Sequence, residues 1–95
     1  MTPAGPVDLN PLQLQILAQV ASGDSNGAIA RSLGYSPSYV KDVVAIVRAH
    51  LRAHDRAHAA SLAVALGLVR PLEEGRFVPT HLPREAITAG GVNLP

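Results

Sequence analysis

The residues best suited to chemistry lie in the middle of the 95-residue chain. Lys41, Arg48 and Arg52 recur at a spacing that returns a helix to nearly the same side. With Lys41 set at 0° and about 100° per residue, Arg48 falls near −20° and Arg52 near +20°, so the three cations line one edge. Ala45, Ser38, Ala49 and Asp42 extend that polar or small face to about 100°. Val40, Val43, Val44, Val47 and Leu51 lie opposite, centred near −100°. A helix with one apolar side and one cationic edge either shows a solvated basic face to water or offers that edge to a polyanion. The DNA major groove is wide enough to admit such a helix.

His50, His54 and His58 form a second constellation, which on one continuous helix would resemble a metal site. Asp55-Arg56 restarts a helix between them, so no metal site is expected and the plainer reading is surface histidines that become partly cationic below about pH 6.5. The chain has no cysteine, which excludes a disulfide, a thiolate zinc site and a cysteine nucleophile. A Gly-rich phosphate loop and an acid–base pair are also missing, so neither catalysis nor a cofactor is expected.

The elements that must position these groups follow from the totals and the local signals. Hydrophobic residues make up 47% of the chain and aromatics only 3%, so a single small domain must build its core from Leu, Ile, Val and Ala. The first residues carry no basic-then-apolar secretory pattern, and no apolar run approaches the roughly 20 residues needed to cross a bilayer. A cytoplasmic protein without a membrane partner is expected. The net charge of +1 says little, but its distribution says more. Arg31, Lys41, Arg48, Arg52, Arg56 and Arg70 face only Asp42 and Asp55 in the middle, whereas Glu73, Glu74 and Glu85 lie toward the end. A basic middle permits a polyanion partner.

Residues 1–8, with Pro3, Gly5 and Pro6, read as a flexible leader. Asn10-Pro11-Leu12-Gln13 supplies an N-cap, a proline at the first helical position and a capping-box glutamine for a first helix that Gly23 closes. A short second helix starts at Ser25-Asn26 and stops at Gly34; a run that short must pack on its neighbours. Ser36-Pro37 opens the third helix, which continues to about Leu51 or Arg52. Asp55 caps a fourth, Arg56 to about Leu66, which is small or apolar nearly all round and so is expected to be buried on more than one side. A second copy of the chain is the natural cover for it. Beyond it, Leu68–Leu72 and Arg76–Val78 flank Glu73-Glu74-Gly75 and predict a hairpin lying against the helices. Arg70 and Arg76 on that hairpin either reach flanking phosphate or pair with Glu73 and Glu74, and the pairing is the expected outcome. The last residues, 83–95, read as a frayed tail with one helical turn near 83–89.

A short helix, a tight turn and a longer helix with a basic edge make a helix-turn-helix. At this point the chain resembles the LuxR-type (GerE-like) DNA-binding domain of bacterial transcription regulators. The resemblance is carried without a gap over residues 9–69 by Leu9-Asn10-Pro11, Leu14, Leu17, Ala21-Ser22-Gly23, Ser25-Asn26, Ile29-Ala30, Leu33-Gly34, Ser36-Pro37, Val40-Lys41, Leu51, Asp55-Arg56, Ala59 and Leu66-Gly67-Leu68. It implies an all-α, four-helix domain, to which the hairpin and tail of residues 70–95 are added. It further implies a recognition helix over 37–52 and a homodimer formed through the fourth helix. The mate-facing residues are then Ala57, Ala60, Ser61, Val64 and Ala65.

The resemblance places Lys41, Asp42 and Ala45 at base-reading positions. Lys41 suits guanine O6/N7 or a phosphate, Asp42 suits cytosine N4, and Ala45 suits a thymine methyl. Asn26, Ser36 and Ser38 at helix N-termini, with Arg48 and Arg52 further along, are the candidate phosphate contacts. Tyr35 and Tyr39 are expected in the packing. The chain departs from the family where Gly27-Ala28 replaces a Lys-Glu pair, Ser38-Tyr39 an Arg-Thr pair, Val43 a histidine and Arg52 a glycine. Fewer cations than usual imply weaker or more cooperative DNA binding.

The sequence therefore points to a sequence-specific double-stranded DNA-binding transcription regulator. A second reading is an adaptor that has lost its groove contacts and binds polymerase, a sigma factor or another regulator. The hairpin is expected to act as a wing or brace. The leader is too short for a sensor or receiver domain, so a stand-alone form is expected, controlled by abundance, by a partner or by cooperative assembly on DNA.

Overall fold

A computed structural model describes residues 8–80 throughout and, beyond them, the backbone of residues 87–88 and 91–92. The leader, apart from Asp8, lies outside the described residues, as does most of the tail.

Four helices form where the local signals place them: α1 (Pro11–Ala21), α2 (Asn26–Leu33), α3 (Pro37–Leu51) and α4 (Arg56–Ala65). Each starts on a side chain that satisfies an otherwise orphan backbone N–H. The Gln13 N–H donates to Asn10 Oδ1 at 2.8 Å and the Asn10 N–H donates to Gln13 Oε1 at 2.9 Å, a complete capping box. Ser25, Ser36 and Asp55 accept from the backbone N–H groups of Ala28, Tyr39 and His58.

Two left-handed residues set the turns on either side of α3. Gly34 closes α2 at φ +79°, and the backbone N–H groups of Gly34 and Tyr35 both donate to the Ala30 carbonyl, at 2.8 and 3.0 Å. That tight reversal lets α3 begin at Pro37. Arg52 closes α3 at φ +56°, a conformation that disfavours any residue with a Cβ by about 1 kcal/mol or more.

The core is aliphatic. Ile16, Leu17, Ile29 and Val40 are fully buried, joined by Val43, Val44, Val47, Leu51, Ala59 and Ala63. The valine side of α3 is thus its inward side, as the helical phase requires. The most enclosed helix, however, is α1 and not α4. All residues from Gln15 to Val20 are buried, whereas α4 buries only Ala59 and Ala63 and leaves Val64 48% exposed. The hairpin makes the difference. Strands β1 (Val69–Pro71) and β2 (Phe77–Pro79) pair antiparallel around a turn at Glu73–Gly75; Val69 joins the core cluster, and Val78, on the other face of the hairpin, is also buried.

Strand β2 lies against α1, where the Phe77 N–H donates to Ser22 Oγ at 2.8 Å and Ser22 Oγ donates to the Ala18 carbonyl. The hairpin therefore braces the helices. Of the tail, Ile87–Thr88 (β3) pairs antiparallel with Gly91–Val92 (β4), so those residues are extended and the helical turn expected near 83–89 does not include them. Residues 83–86 lie outside the described residues.

Candidate nucleic-acid interface

Helix α3 presents Ser38, Tyr39, Lys41, Asp42, Ala45, Ile46 and Ala49 to solvent, with its valines facing the other way. The three residues expected to face bases, Lys41, Asp42 and Ala45, are all exposed. Ser36 and Ser38 are exposed at the α3 N-terminus, where the first-turn N–H groups and the positive end of the helix dipole favour an anion. Ser36 Oγ accepts from the Tyr39 N–H at 3.1 Å, which leaves its own hydroxyl proton to donate.

The cations behave differently from one another. Lys41 and Arg52 are exposed. Arg48 is half-buried: its Nη2 donates to the His54 carbonyl at 2.7 Å and its Nε is buried without a partner. Its aliphatic stem walls a small apolar gap between α1, α3 and α4, beside Ile16, Val20, Val44 and Ala59. As placed, this guanidinium ties the end of α3 to the turn before α4. Asn26, at the start of α2, is also engaged: its Oδ1 accepts from Arg56 Nη1 at 2.7 Å. Its amide N–H groups are the donors that remain for a phosphate.

Arg56 bridges the two halves of the domain. Besides Asn26, it donates through Nη2 to the Asp24 carbonyl. Burial lowers the pKa of its guanidinium and the Asp24 charge opposes that shift. Asp24 itself accepts from Arg76 Nη1 and Nη2 at 2.8 and 2.9 Å and from Gln19 Nε2 at 3.3 Å. The Arg76 hydrogen bonds hold its carboxyl below the usual carboxylate range, against the effect of partial burial, with help from Gln19 and from the charges of Arg76 and Arg56. Arg76 therefore pairs with Asp24 and not with Glu73 or Glu74. The turn between α1 and α2 brings a carboxylate to the hairpin, a partner that no local spacing announces.

One other placement differs from expectation. Tyr35 and Tyr39 are each 42% exposed and lie ring against ring, centroids 4.9 Å apart, at the tip of the turn and first turn of α3. They belong to the surface because Gly34 turns the chain outward before the helix starts. Ile46 is also exposed. At about 140° from Lys41 it falls just short of the valine side, a signal the helical phase did contain.

The histidines do not converge. The His50 ring stays on its own helix against the Ile46 carbonyl, and His58 Nδ1 accepts from the His54 backbone N–H at 2.9 Å, the His54 and His58 rings lying 4.8 Å apart.

On α4, Ala57, Ser61, Val64 and Ala65 are exposed and Ala60 is half-buried. Leu66, just beyond the helix, is 43% exposed. Among the described residues no helix is long and apolar enough to cross a membrane.

A short capped helix, a glycine turn and a longer helix with an outward polar face define a helix-turn-helix protein. Residues 8–63, more than half of the chain, match the GerE family, described as bacterial regulatory proteins of the luxR family. The chain belongs to that family, and it is a helix-turn-helix DNA-binding regulator, a class that works by binding and not by catalysis. No curated protein and no solved structure gives a significant match.

Proposed function

We propose that the protein binds double-stranded DNA sequence-specifically as a homodimer, with α3 in the major groove. The observation that carries this reading is the two-sidedness of α3. Val40, Val43, Val44 and Val47 are anchored in the core while Lys41, Asp42 and Ala45 stand outward after a glycine-closed turn. Lys41 donates to guanine or a phosphate, Asp42 accepts from a base amino group and Ala45 meets a methyl. Ser36, Ser38, Asn26 and Arg52 hold phosphates, and Arg48 contributes from behind by fixing the end of α3. Such a regulator works in the cytoplasm, on the DNA of the cell.

The dimer forms through α4, with Ala57, Ala60, Ser61, Val64 and Ala65 against the mate. The exposure of Val64 and Leu66 supports this, since together with the alanines they leave an apolar patch on a helix whose inward side is Ala59, Leu62 and Ala63. In this reading residues 9–69 are the DNA-binding domain and residues 70–95 its brace and tail.

One observation favours the adaptor reading instead. Arg48 is turned inward while Tyr35, Tyr39 and Ile46 are exposed, which makes the α3 side less cationic and more apolar than a phosphate surface needs. Duplex binding measured across a salt series separates the two. A groove binder loses affinity steeply as salt rises, whereas an adaptor binds duplex weakly at every salt concentration and retains its protein partner.

A further inference from the structure

Ile46 poses a problem that the fold does not solve. It sits in the middle of α3, 45% exposed, yet it is a large aliphatic residue with a water-facing neighbourhood. Asp42, Ala49 and His50, its neighbours one turn away on the outer side of the helix, are all exposed too. The core has no use for its side chain: the adjoining inward positions are filled by Val43 and Val47.

The major groove supplies one apolar group among its base edges, the C5-methyl of thymine; the other base-edge groups are hydrogen-bond donors or acceptors. An isoleucine brought into that groove has that methyl as its natural neighbour. Asp42, beside it, narrows the choice of base. A carboxylate needs an amino donor, which cytosine N4 and adenine N6 provide, and it is repelled by the O6 and N7 acceptors of guanine. An adenine–thymine pair offers both features at once, an amino donor and a methyl. Lys41, by contrast, suits guanine acceptors.

We infer that this protein reads thymine methyl groups through Ile46, with Asp42 setting the adjoining base, so that its half-site joins a guanine under Lys41 to thymines under Ile46. This rests on the groove-binding reading above and adds to it the chemistry of the operator. Apolar contacts take the place of the hydrogen bonds that an extra arginine would have supplied, which fits the inward commitment of Arg48.

The test starts from a random-sequence duplex library enriched on the full chain. The best enriched duplex is then rebuilt with uracil replacing thymine one position at a time, which keeps the base pair and removes only a methyl. The expected result is a loss of about four-fold in affinity for each contacted methyl, the worth of one buried methyl group. Ile46→Asn should bind the thymine and uracil duplexes alike at the positions that Ile46 reads, a methyl under Ala45 keeping its own penalty, while the salt slope stays that of the native protein, since its phosphate contacts are untouched. If the native protein selects sequences but binds every uracil duplex as tightly as its thymine parent, this inference is overturned and groove binding stands. If every uracil penalty of the native protein persists in Ile46→Asn, Ile46 is not the reader and the inference is likewise overturned. A library that yields no enriched sequence at all, with no steep salt slope, removes both this inference and the reading beneath it.

Discussion

Asp24 and Arg76 meet two oxygens to two nitrogens, at 2.8 and 2.9 Å, across 52 positions of sequence. This fork-to-fork pair fastens the hairpin to the turn that precedes α2, and Arg56, donating to the Asp24 carbonyl and to Asn26, carries the connection on to α4. The helix-turn-helix is thereby held from behind by residues that lie outside α3.

Asp24→Asn should loosen the hairpin and lower stability by about 1–2 kcal/mol, a figure kept small because Arg76 is 43% exposed and water screens the pair. The pH dependence has a definite sign. The carboxyl is held below its usual value, so its contribution is present above about pH 4, the ordinary aspartate range, and is lost as pH falls through the folded-state value. Urea denaturation near neutrality and in acid should show the native protein losing this increment in acid, while Asp24→Asn shows a smaller acid effect. Equal acid sensitivity in both proteins would contradict the pair's role.

Arg48 and Lys41 should separate cleanly on mutation. Arg48→Ala removes the hydrogen bond to the His54 carbonyl and part of the wall between α1, α3 and α4, so stability should fall by about 1–3 kcal/mol. Its effect on the salt slope of DNA binding should be small. Lys41→Ala should leave the melting temperature nearly unchanged and lower duplex affinity, with the slope reduced by about one if Lys41 meets a phosphate. Thermal melts combined with salt-titrated binding of both variants provide the check.

Arg52 holds a left-handed backbone at φ +56° with a side chain that disfavours it. Arg52→Gly should raise stability by about 1 kcal/mol, because glycine adopts that conformation without a Cβ clash. In the proposed complex it also deletes a phosphate contact, so duplex affinity should drop while the protein becomes harder to unfold. A variant that gains stability and loses no affinity would remove Arg52 from the interface.

Val64→Glu should convert the proposed dimer to a monomer, since a carboxylate would then be buried without a partner at the α4 seam. Val64 is 48% exposed in the single chain, so the monomer should keep its fold. Sedimentation velocity reads the mass and circular dichroism the helix content. An unchanged mass would place the seam elsewhere.

The sequence alone determined the elements. Asn10 with Gln13, Ser25, Ser36-Pro37 and Asp55 each start a helix because a capping side chain reaches an N–H only two or three residues away. Gly34 ends α2 because only its own backbone needs to turn left-handed. The valine face of α3 follows from helical phase in the same way, and so do the hairpin and the outward placement of Lys41, Asp42 and Ala45. All of these depend on neighbours within a turn or two of helix, or within one short hairpin, and that distance can be read along a chain.

Tertiary structure decided the rest. Whether α1 or α4 is the enclosed helix depended on where the hairpin docked, and it docked on α1 through Ser22 and Phe77. Arg76 passed over the adjacent Glu73 and Glu74 for Asp24, and Arg48, in phase with Lys41, folded back onto the His54 carbonyl. Tyr35 and Tyr39 met each other at the surface and not the core. Long flexible side chains choose partners by position in space, and a cation's reach covers several candidates that sequence spacing ranks equally. Packing settles that choice, because it brings together groups far apart in sequence and removes the competing water.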